Sequence, residues 1–345
     1  MITKKFENTL PDEIADIKSG YMKTYWDEFL TQQESDIPDS LFCVKNNIDV
    51  AEQKKLFSKY VRVVYLETSS YCNRKCLYCP VAVDDYRKKQ LQINDLVFEK
   101  IINELEEINY SKTITFHLFN EPMADQKLFY KIDIVRKKLA NAFLMLNTNG
   151  DYLTKAKLNE LSGLKINYLI VTLHPSSKNR YDISEREIAL KKIIKKLGIE
   201  NAVIEKPYQD SLNIDVEWNG MALKIRSIDW SSYGSSRAGA VDFLTPETDR
   251  ISPCVRPLSQ FVISHNGDVF PCCTFYPETS QSYVVGNVGN QSIFEIYSSK
   301  TLAMWRKHLF TFGKKNSPCD KCNDEDFANL SSVELRKKIL TKSNV

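Results

Sequence analysis

Eight of the nine cysteines in this sequence fall into three groups, and only Cys43 stands apart. The groups are Cys72, Cys76 and Cys79; Cys254, Cys272 and Cys273; and Cys319 and Cys322. An odd count, with no apolar signal segment near the N-terminus, argues against a disulfide framework and for a reducing, cytoplasmic location. Clustered thiols in a cytoplasmic chain of this size are typical of metal or iron–sulfur ligands. We expect Cys43 to be inert.

The charge balance excludes no function class but favours neither nucleic acid nor membrane as a partner. Lys and Arg total 47, Asp and Glu total 44, and the net charge is +3. Such a chain has no strong field to attract a polyanion. No apolar run approaches the roughly 18 residues that a membrane-spanning helix needs. We therefore expect a partner that is neither nucleic acid nor membrane.

The hydrophobic pattern predicts an α/β core with additions at both ends. Segments rich in β-branched residues alternate with amphipathic segments from Val61 to Ile204, ending in a short predicted strand at Ala202–Ile204. This alternation predicts parallel strands covered by helices. With five or six strands, it favours a partial (β/α)6-type barrel. The predicted domains are a helical extension (1–60), the core (61–235), a smaller C-terminal domain (240–330) and a tail (331–345).

A second strand pattern follows the alternation. Asp215–Ile225 is a hairpin candidate with Asn219-Gly220 as its turn. Phe261–Phe270 contains another hairpin pattern, and a helix is predicted from Ser292 to about Leu309. The Ser- and Gly-rich segment 231–239 between the two hairpins indicates a domain boundary.

The first cysteine group directly follows the first strand of the alternating region. Loops at the carboxyl ends of parallel strands are where α/β proteins bind ligands. A [4Fe–4S] cluster normally takes four cysteines, so the three thiolates of Cys72, Cys76 and Cys79 would leave one iron open. A zinc site is the alternative, although zinc usually takes four ligands from paired C-x₂-C motifs.

The C-x₃-C-x₂-C spacing at this place resembles the radical S-adenosylmethionine (radical SAM) superfamily. The resemblance implies that the three cysteines bind a [4Fe–4S] cluster whose open iron chelates S-adenosyl-L-methionine. It also implies a low-potential electron donor such as flavodoxin or ferredoxin. In this family, reductive cleavage of S-adenosylmethionine gives a 5′-deoxyadenosyl radical, which abstracts a hydrogen atom from the substrate.

The same resemblance implies further cofactor-binding residues. They are Tyr78 beside the adenine, Asn120 and Glu121 in the position of a Gly-Glu pair that binds the methionine amino group, Asn147 in a Thr-Asn-Gly-like turn, and Thr172 near the ribose. Asn120 replaces the glycine that is usual there. His174 departs from the family pattern, and we interpret it either as a structural hydrogen-bonding residue or as a catalytic base.

The second set of cysteines resembles the SPASM/twitch extensions of radical SAM enzymes from about Pro253 to Asn323. The similar features are Gly267-x-Val269-x-Pro271-Cys272, a Val-Gly-Asn-Val segment at 285–288, and the final C-x₂-C. This implies one auxiliary [4Fe–4S] cluster of the shorter twitch type. Its implied ligands are Cys254, Cys272, Cys319 and Cys322. A structural zinc ion is the alternative, because four cysteines also fill a tetrahedral site.

Cys273 remains outside both ligand sets, and two interpretations stay open for it. It is either a buried small apolar residue or a thiol that returns a hydrogen atom to a substrate radical, as in radical SAM epimerases.

The resemblance therefore predicts an oxidoreductase or epimerase that acts on an unactivated C–H bond of a small polyol or amino-sugar substrate. One alternative is a maturase or epimerase of a ribosomally synthesised peptide. A more distant alternative is a zinc-stabilised binding module that is not an enzyme.

Overall fold

The computed structural model describes residues 39–42, 48–82, 90–175, 181–200, 202–207, 209–310 and 313–323. Cys43, most of the predicted N-terminal extension and the predicted tail lie outside these residues. Among the described residues, no helix is both long enough and apolar enough to cross a membrane.

The described strands and helices are given in chain order. The strands are β1 (Val63–Leu66), β2 (Thr113–Thr115), β3 (Phe143–Thr148), β4 (Tyr168–Thr172), β5 (Ser211–Trp218), β6 (Met221–Ile228), β7 (Gln260–Ile263), β8 (Asp268–Phe270) and β9 (Gly286–Asn287). The α-helices are α1 (Val50–Tyr60), α2 (Asp95–Glu107), α3 (Leu128–Lys138), α4 (Lys155–Gly163), α5 (Ile183–Leu197), α6 (Trp230–Tyr233), α7 (Arg256–Ser259), α8 (Ile293–Tyr297) and α9 (Lys300–Phe310).

The chain forms two compact units. The sheet unit comprises Val63–Ser235 and Val262–Asp268. The terminal unit takes its described residues from Met1–Arg62, Ser236–Phe261 and Val269–Val345. Residues 262–268, which lie within the predicted C-terminal domain, belong to the sheet unit, where the Glu67 amide donates to the Ile263 carbonyl at 2.9 Å.

The sheet unit is an α/β structure with strand order β5-β6-β4-β3-β2-β1. Every neighbouring pair is parallel except β5 and β6, which are antiparallel. The predicted Asn219-Gly220 turn joins these two strands, and both residues have the positive φ (48° and 82°) that a tight hairpin turn requires. A two-residue turn can join only antiparallel strands. The predicted barrel therefore has one strand that is not parallel.

The predicted strand at Ala202–Ile204 is wrong. The structure gives this segment no regular structure, and its only neighbouring pairing among the described residues is an isolated bridge between Glu205 and Asn213. The edge of β4 that it would occupy is taken by β6. The predicted helix from Ser292 to Leu309 is divided into α8 and α9.

Local signals in the sequence delimit the helices of the sheet unit. The Asn94 side chain accepts from the Leu96 and Val97 amides at the start of α2, and Asp182 caps α5 in the same way. Gly198 ends α5 in the left-handed region at φ 67°. These caps orient the helices against strands whose residues are almost all buried, such as all five residues of β4.

The terminal unit has a separate aromatic core. Phe57 of α1 makes edge-on contacts with Phe261, Phe294 and Tyr297 at ring-centroid distances of 5.2, 5.6 and 5.3 Å. The Tyr297 hydroxyl donates to the Leu258 carbonyl at 2.7 Å, which satisfies its buried polar atom. This core supports the segments that carry the C-terminal cysteines.

Candidate active site and iron–sulfur sites

The first three cysteines lie on the loop that leaves β1. The Cys79 amide donates to the Cys76 carbonyl at 2.9 Å, and the Ala82 amide donates to Cys79 at 3.0 Å, so the loop turns tightly. All three thiols are half-buried, and none of them forms a disulfide. Burial raises the pKa of Cys72 to about 12 and that of Cys76 to about 11. Iron binding would therefore have to displace protons from these thiols.

An arginine clasp holds this loop. The Arg74 guanidinium donates to both Asp151 carboxylate oxygens at 2.7 and 2.6 Å and to the His174 carbonyl at 3.0 Å. The Asn73 amide also donates to Asp151 at 2.7 Å. Bidentate arginine–carboxylate contacts are strong and directional. The clasp therefore ties the cysteine loop to the loops that follow β3 and β4.

Glu121 joins three loops at the carboxyl end of the sheet. Its amide donates to the Tyr71 carbonyl at 2.8 Å. Its carboxylate accepts from the Thr148 hydroxyl at 2.6 Å, the Asn149 amide at 2.7 Å and the Met123 amide at 3.0 Å. Burial raises the pKa of Glu121 to about 7 despite these donors. In the protein without a cofactor, the carboxyl group is thus close to half-ionised at neutral pH.

Four buried polar atoms at this edge have no hydrogen-bond partner within the described structure. They are Thr68 Oγ1, Ser69 Oγ, Asn120 Nδ2 and Asn147 Oδ1, which lie just beyond β1, just beyond β2 and near the end of β3. An unsatisfied buried polar atom costs about 1–3 kcal/mol. Four of them near the ends of three neighbouring strands fit a site that receives a polar cofactor, and the cofactor-binding roles of Asn120 and Asn147 stay predictions.

Tyr78 and His174 form a direct hydrogen bond of 2.6 Å between the tyrosine hydroxyl and His174 Nδ1. Burial raises the pKa of Tyr78 well above its ordinary value, so the hydroxyl keeps its proton and donates. Burial, with Arg74 and Arg226, lowers the pKa of His174 to about 3. A neutral imidazole whose Nδ1 already accepts a bond favours the structural interpretation of His174. Its role as a base stays a prediction.

Between pH 7.5 and pH 5, we expect the free energy of unfolding to fall less in His174→Gln than in the parent protein. In the folded protein the pKa of His174 lies below its ordinary 6.5, so the unfolded chain binds a proton at this residue more readily than the folded protein does. The contribution of His174 to the free energy of unfolding is therefore complete above pH 6.5 and is lost as pH falls towards 3. Urea unfolding of both proteins at pH 7.5 and pH 5 measures the difference. The same pH-dependent loss in both would show that His174 ionises normally.

Several contacts at this site were not predicted from the sequence. Thr172 Oγ1, a predicted cofactor residue, accepts from Arg226 Nε at 3.1 Å, and the Arg226 guanidinium lies 5.2 Å from the Trp230 ring centroid. His117 contacts Asn147 at 2.8 Å through Nε2. The available signal was the pair of cations Lys224 and Arg226, which stand two positions apart in a strand that otherwise holds mainly apolar residues.

A buried carboxylate–histidine pair was also missed. Glu67 Oε2 lies 3.0 Å from His265 Nδ1, and Glu67 Oε1 accepts from the Phe119 amide at 3.1 Å. Both side chains belong to the sheet unit. No local pattern marks this pair, because its members are 198 positions apart.

In the terminal unit, four cysteines line one cavity. They are Cys254, Cys272, Cys319 and Cys322, and the cavity is completed by Ala238, Arg250, Arg256, Pro257, Thr274 and Leu309. Burial raises the thiol pKa of Cys272 and Cys319. Cys273 is not among the described residues that line this cavity, and its amide donates to the Gln260 side-chain oxygen at 3.2 Å. The geometry supports Cys272 rather than Cys273 as the ligand.

The four cysteines of this cavity can be compared with the ligand set that a single zinc ion needs. Within the described ranges, no three Cys, His, Asp or Glu side chains are positioned to hold one metal ion. Zinc would need all its thiolates at about 2.3 Å from a single atom. A cluster with several irons binds one thiolate at each iron, so its ligands stand farther apart. Four cysteines around one cavity are the ligand set that one [4Fe–4S] cluster takes.

Comparisons with known proteins agree with this arrangement. The sequence matches the radical SAM superfamily over residues 66–204 and the SPASM iron–sulfur cluster-binding domain over residues 254–323. It is similar to S-adenosyl-L-methionine-dependent 2-deoxy-scyllo-inosamine dehydrogenase from Niallia circulans. The two are 26% identical over 272 residues, which cover 78% of this chain and 94% of the relative.

Two solved structures have a similar fold. The crystal structure of BtrN in complex with AdoMet and 2-DOIA has a TM-score of 0.59 and 23% identity, covering 76% of this chain and 93% of that one. SeMet BtrN in an open conformation has a TM-score of 0.51 and 22% identity, covering 76% and 92%. These structures confirm the predicted α/β partial-barrel fold.

Proposed function

The chain belongs to the radical SAM superfamily and carries a C-terminal SPASM domain, and from this premise we propose that it dehydrogenates a hydroxyl-bearing carbon of a small polyol or amino sugar. The observation that carries this proposal is the match to a 2-deoxy-scyllo-inosamine dehydrogenase over 94% of that relative's length. The enzyme is an oxidoreductase that uses S-adenosylmethionine and an iron–sulfur cluster.

The inner face of the sheet supports a polar substrate. The β4–β6 register pairs Ile170 with Lys224 and Thr172 with Arg226, so both cations share one face. The opposite face carries Val171, which packs closely beside Gly150 near α5. The face turned away from the helix is thus polar, and the Lys224 ammonium lies 3.1 Å from Asp215. Hydroxyl and amino groups suit such a surface better than an apolar side chain does.

Two iron–sulfur clusters are assigned by this proposal. Cys72, Cys76 and Cys79 would hold a [4Fe–4S] cluster, and the cavity cysteines Cys254, Cys272, Cys319 and Cys322 would hold an auxiliary [4Fe–4S] cluster. When bound, these groups and S-adenosylmethionine supply a carbon radical that abstracts hydrogen and an acceptor for one electron. Oxidation to a carbonyl then balances, because the substrate carbinol loses one hydrogen atom, one electron and one proton.

The chain's own residues position these groups. Arg74 and Asp151 hold the cysteine loop, and Glu121 holds the loops that would flank the methionine part of the cofactor. The Tyr78 ring, fixed by His174, would lie beside the adenine. A flavodoxin or ferredoxin would supply the reducing electron. None of the eight cysteines in the described ranges forms a disulfide, which is consistent with the reducing cytoplasmic location that we propose.

An anaerobic turnover assay tests the proposal. The reconstituted enzyme receives a reductant, S-adenosylmethionine and 2-deoxy-scyllo-inosamine or related aminocyclitols deuterated at each ring carbon in turn. We expect deuterium in 5′-deoxyadenosine from one labelled position and an equal amount of ketone. Substrate-dependent incorporation of solvent deuterium into product without oxidation would establish epimerisation. Activity with a precursor peptide alone would establish the maturase alternative.

Cys273 distinguishes dehydrogenation from epimerisation. We expect Cys273→Ala to keep the auxiliary cluster, S-adenosylmethionine cleavage and ketone formation, because the thiol lies outside the cysteine-lined cavity. Cys272→Ala is the matched variant and should lose the auxiliary cluster. Iron content and product analysis of both variants measure this. Loss of the cluster in Cys273→Ala, with retention in Cys272→Ala, would reverse the ligand assignment.

A further inference from the structure

Two arginines line the cysteine cavity of the terminal unit. Arg250 is only 4% exposed, and one guanidinium nitrogen donates to Cys322 Sγ at 3.6 Å. Its other nitrogens donate to the Ser252 carbonyl at 3.1 Å and the Pro253 carbonyl at 2.8 Å. The planar group is therefore held in one orientation, with one N–H directed at a ligand sulfur.

The rest of the cavity wall adds positive charge. Arg256 also lines the cavity, and its guanidinium lies 3.9 Å from Cys273 Sγ. Lys315 does not line the cavity, but it is 1% exposed and interacts electrostatically with Cys254 and Cys319. No carboxylate is among the described residues that line the cavity. The wall is thus cationic and apolar apart from its thiols and Thr274.

A cationic cavity wall favours the reduced form of an iron–sulfur cluster. Four thiolates give the group a net negative charge, and reduction adds one more. Nearby positive charge and N–H donors to sulfur stabilise the reduced form more than the oxidised form, and they are known determinants of cluster potential. At a buried site this electrostatic effect is screened only weakly.

We propose that Arg250, assisted by Arg256, raises the reduction potential of the auxiliary cluster and thereby suits it to accept an electron. Arg250 is a positioning residue in this role, since it acts on the cluster through a ligand sulfur. The inference rests on the proposed function only in assigning an iron–sulfur cluster to this cavity. It does not depend on which substrate is oxidised.

A redox titration tests this inference without turnover. The background is Cys72→Ala/Cys76→Ala/Cys79→Ala, in which only the auxiliary cluster can assemble. EPR and visible absorption follow the reduction of the reconstituted full chain. We expect Arg250→Gln to disfavour reduction at least tenfold, which is a lowering of about 59 mV for one electron. Arg250→Lys should shift the potential less, because it keeps the charge.

Lys321→Gln is the matched control. Lys321 lies between the ligands Cys319 and Cys322 but pairs with Asp249 at 2.6 Å on the surface. Removing its charge should leave the potential unchanged, since solvent and salt screen it. An Arg250→Gln protein with an intact cluster and the parent potential would overturn the inference.

A second variant covers the case in which Arg250→Gln fails to assemble its cluster. Arg256→Gln then decides, because it removes the second charge of the cavity wall, and the parent potential in that variant would overturn the proposal; Arg250→Lys, which keeps the charge, serves as its control. Failure of the proposed function gives a different result from failure of this inference. An enzyme that oxidises no polyol would still show the potential shift, whereas a protein that binds zinc in this cavity would give no titratable signal and would refute both.

Discussion

Replacing Cys72, Cys76 and Cys79 together by alanine is expected to abolish S-adenosylmethionine cleavage and to leave about half of the iron. With two [4Fe–4S] clusters the parent should bind about eight irons per chain and the variant about four. The three cysteines belong to the sheet unit, whereas the four that line the cavity belong to the terminal unit. Each unit has its own core, so the auxiliary cluster should assemble without the first.

Anaerobic reconstitution followed by iron and sulfide analysis measures the iron content, and 5′-deoxyadenosine formation under reducing conditions measures cleavage. Cys273→Ala is the cysteine-to-alanine control outside both ligand sets and should retain about eight irons. Cleavage that persists in the triple variant would contradict the assignment of the open iron to this loop. A parent protein that binds zinc instead of iron would support the binding-module alternative.

The second large effect is expected at Glu121. Glu121→Ala would leave the Thr148 hydroxyl and the Asn149 amide buried without an acceptor, at about 1–3 kcal/mol each. We expect the free energy of unfolding to fall by about 3 kcal/mol and S-adenosylmethionine cleavage to be lost, since the loop after β2 loses its side-chain hydrogen bonds to the loop after β3. Urea unfolding and 5′-deoxyadenosine formation are the measurements. Parent-like stability would show that these donors find other acceptors.

Glu121→Gln is the conservative companion and gives a pH signature. Burial raises the pKa of Glu121 from 4.5 to about 7, so the folded state holds the proton more tightly than the unfolded state does. The free energy of unfolding should therefore decrease as pH rises from 4.5 to 7, by about 3 kcal/mol from this group. The Gln variant, measured without S-adenosylmethionine, should lack this decrease. Equal pH dependence in both proteins would place the pKa of Glu121 near its ordinary value.

Much of the site was predictable because it is local in sequence. Cys72, Cys76 and Cys79 occupy eight consecutive positions after a strand, and the Asn219-Gly220 turn requires only its own two residues. Residues that are only a few positions apart in the sequence stay close together in space, however the rest of the chain folds. The two family matches confirm the radical SAM and SPASM resemblance, and the structure confirms the Asn219-Gly220 turn, whereas the ligand role of the three cysteines stays a prediction. The strand at Ala202–Ile204 failed because strand formation depends on which edge is available, and β6 occupies the edge of β4.

Cysteine spacing and strand–helix alternation are properties of short segments, so the kind of chemistry could be read from the sequence alone. The residues that surround that chemistry depend on how distant segments pack. Arg74 meets Asp151 across 77 positions, and Arg250 meets Cys322 across 72. A charge can pair with many others in an unfolded chain. Which pair forms depends on the packing of the strands and loops between them, and burial then gives that contact its influence on the pKa of a carboxyl group or the potential of a cluster.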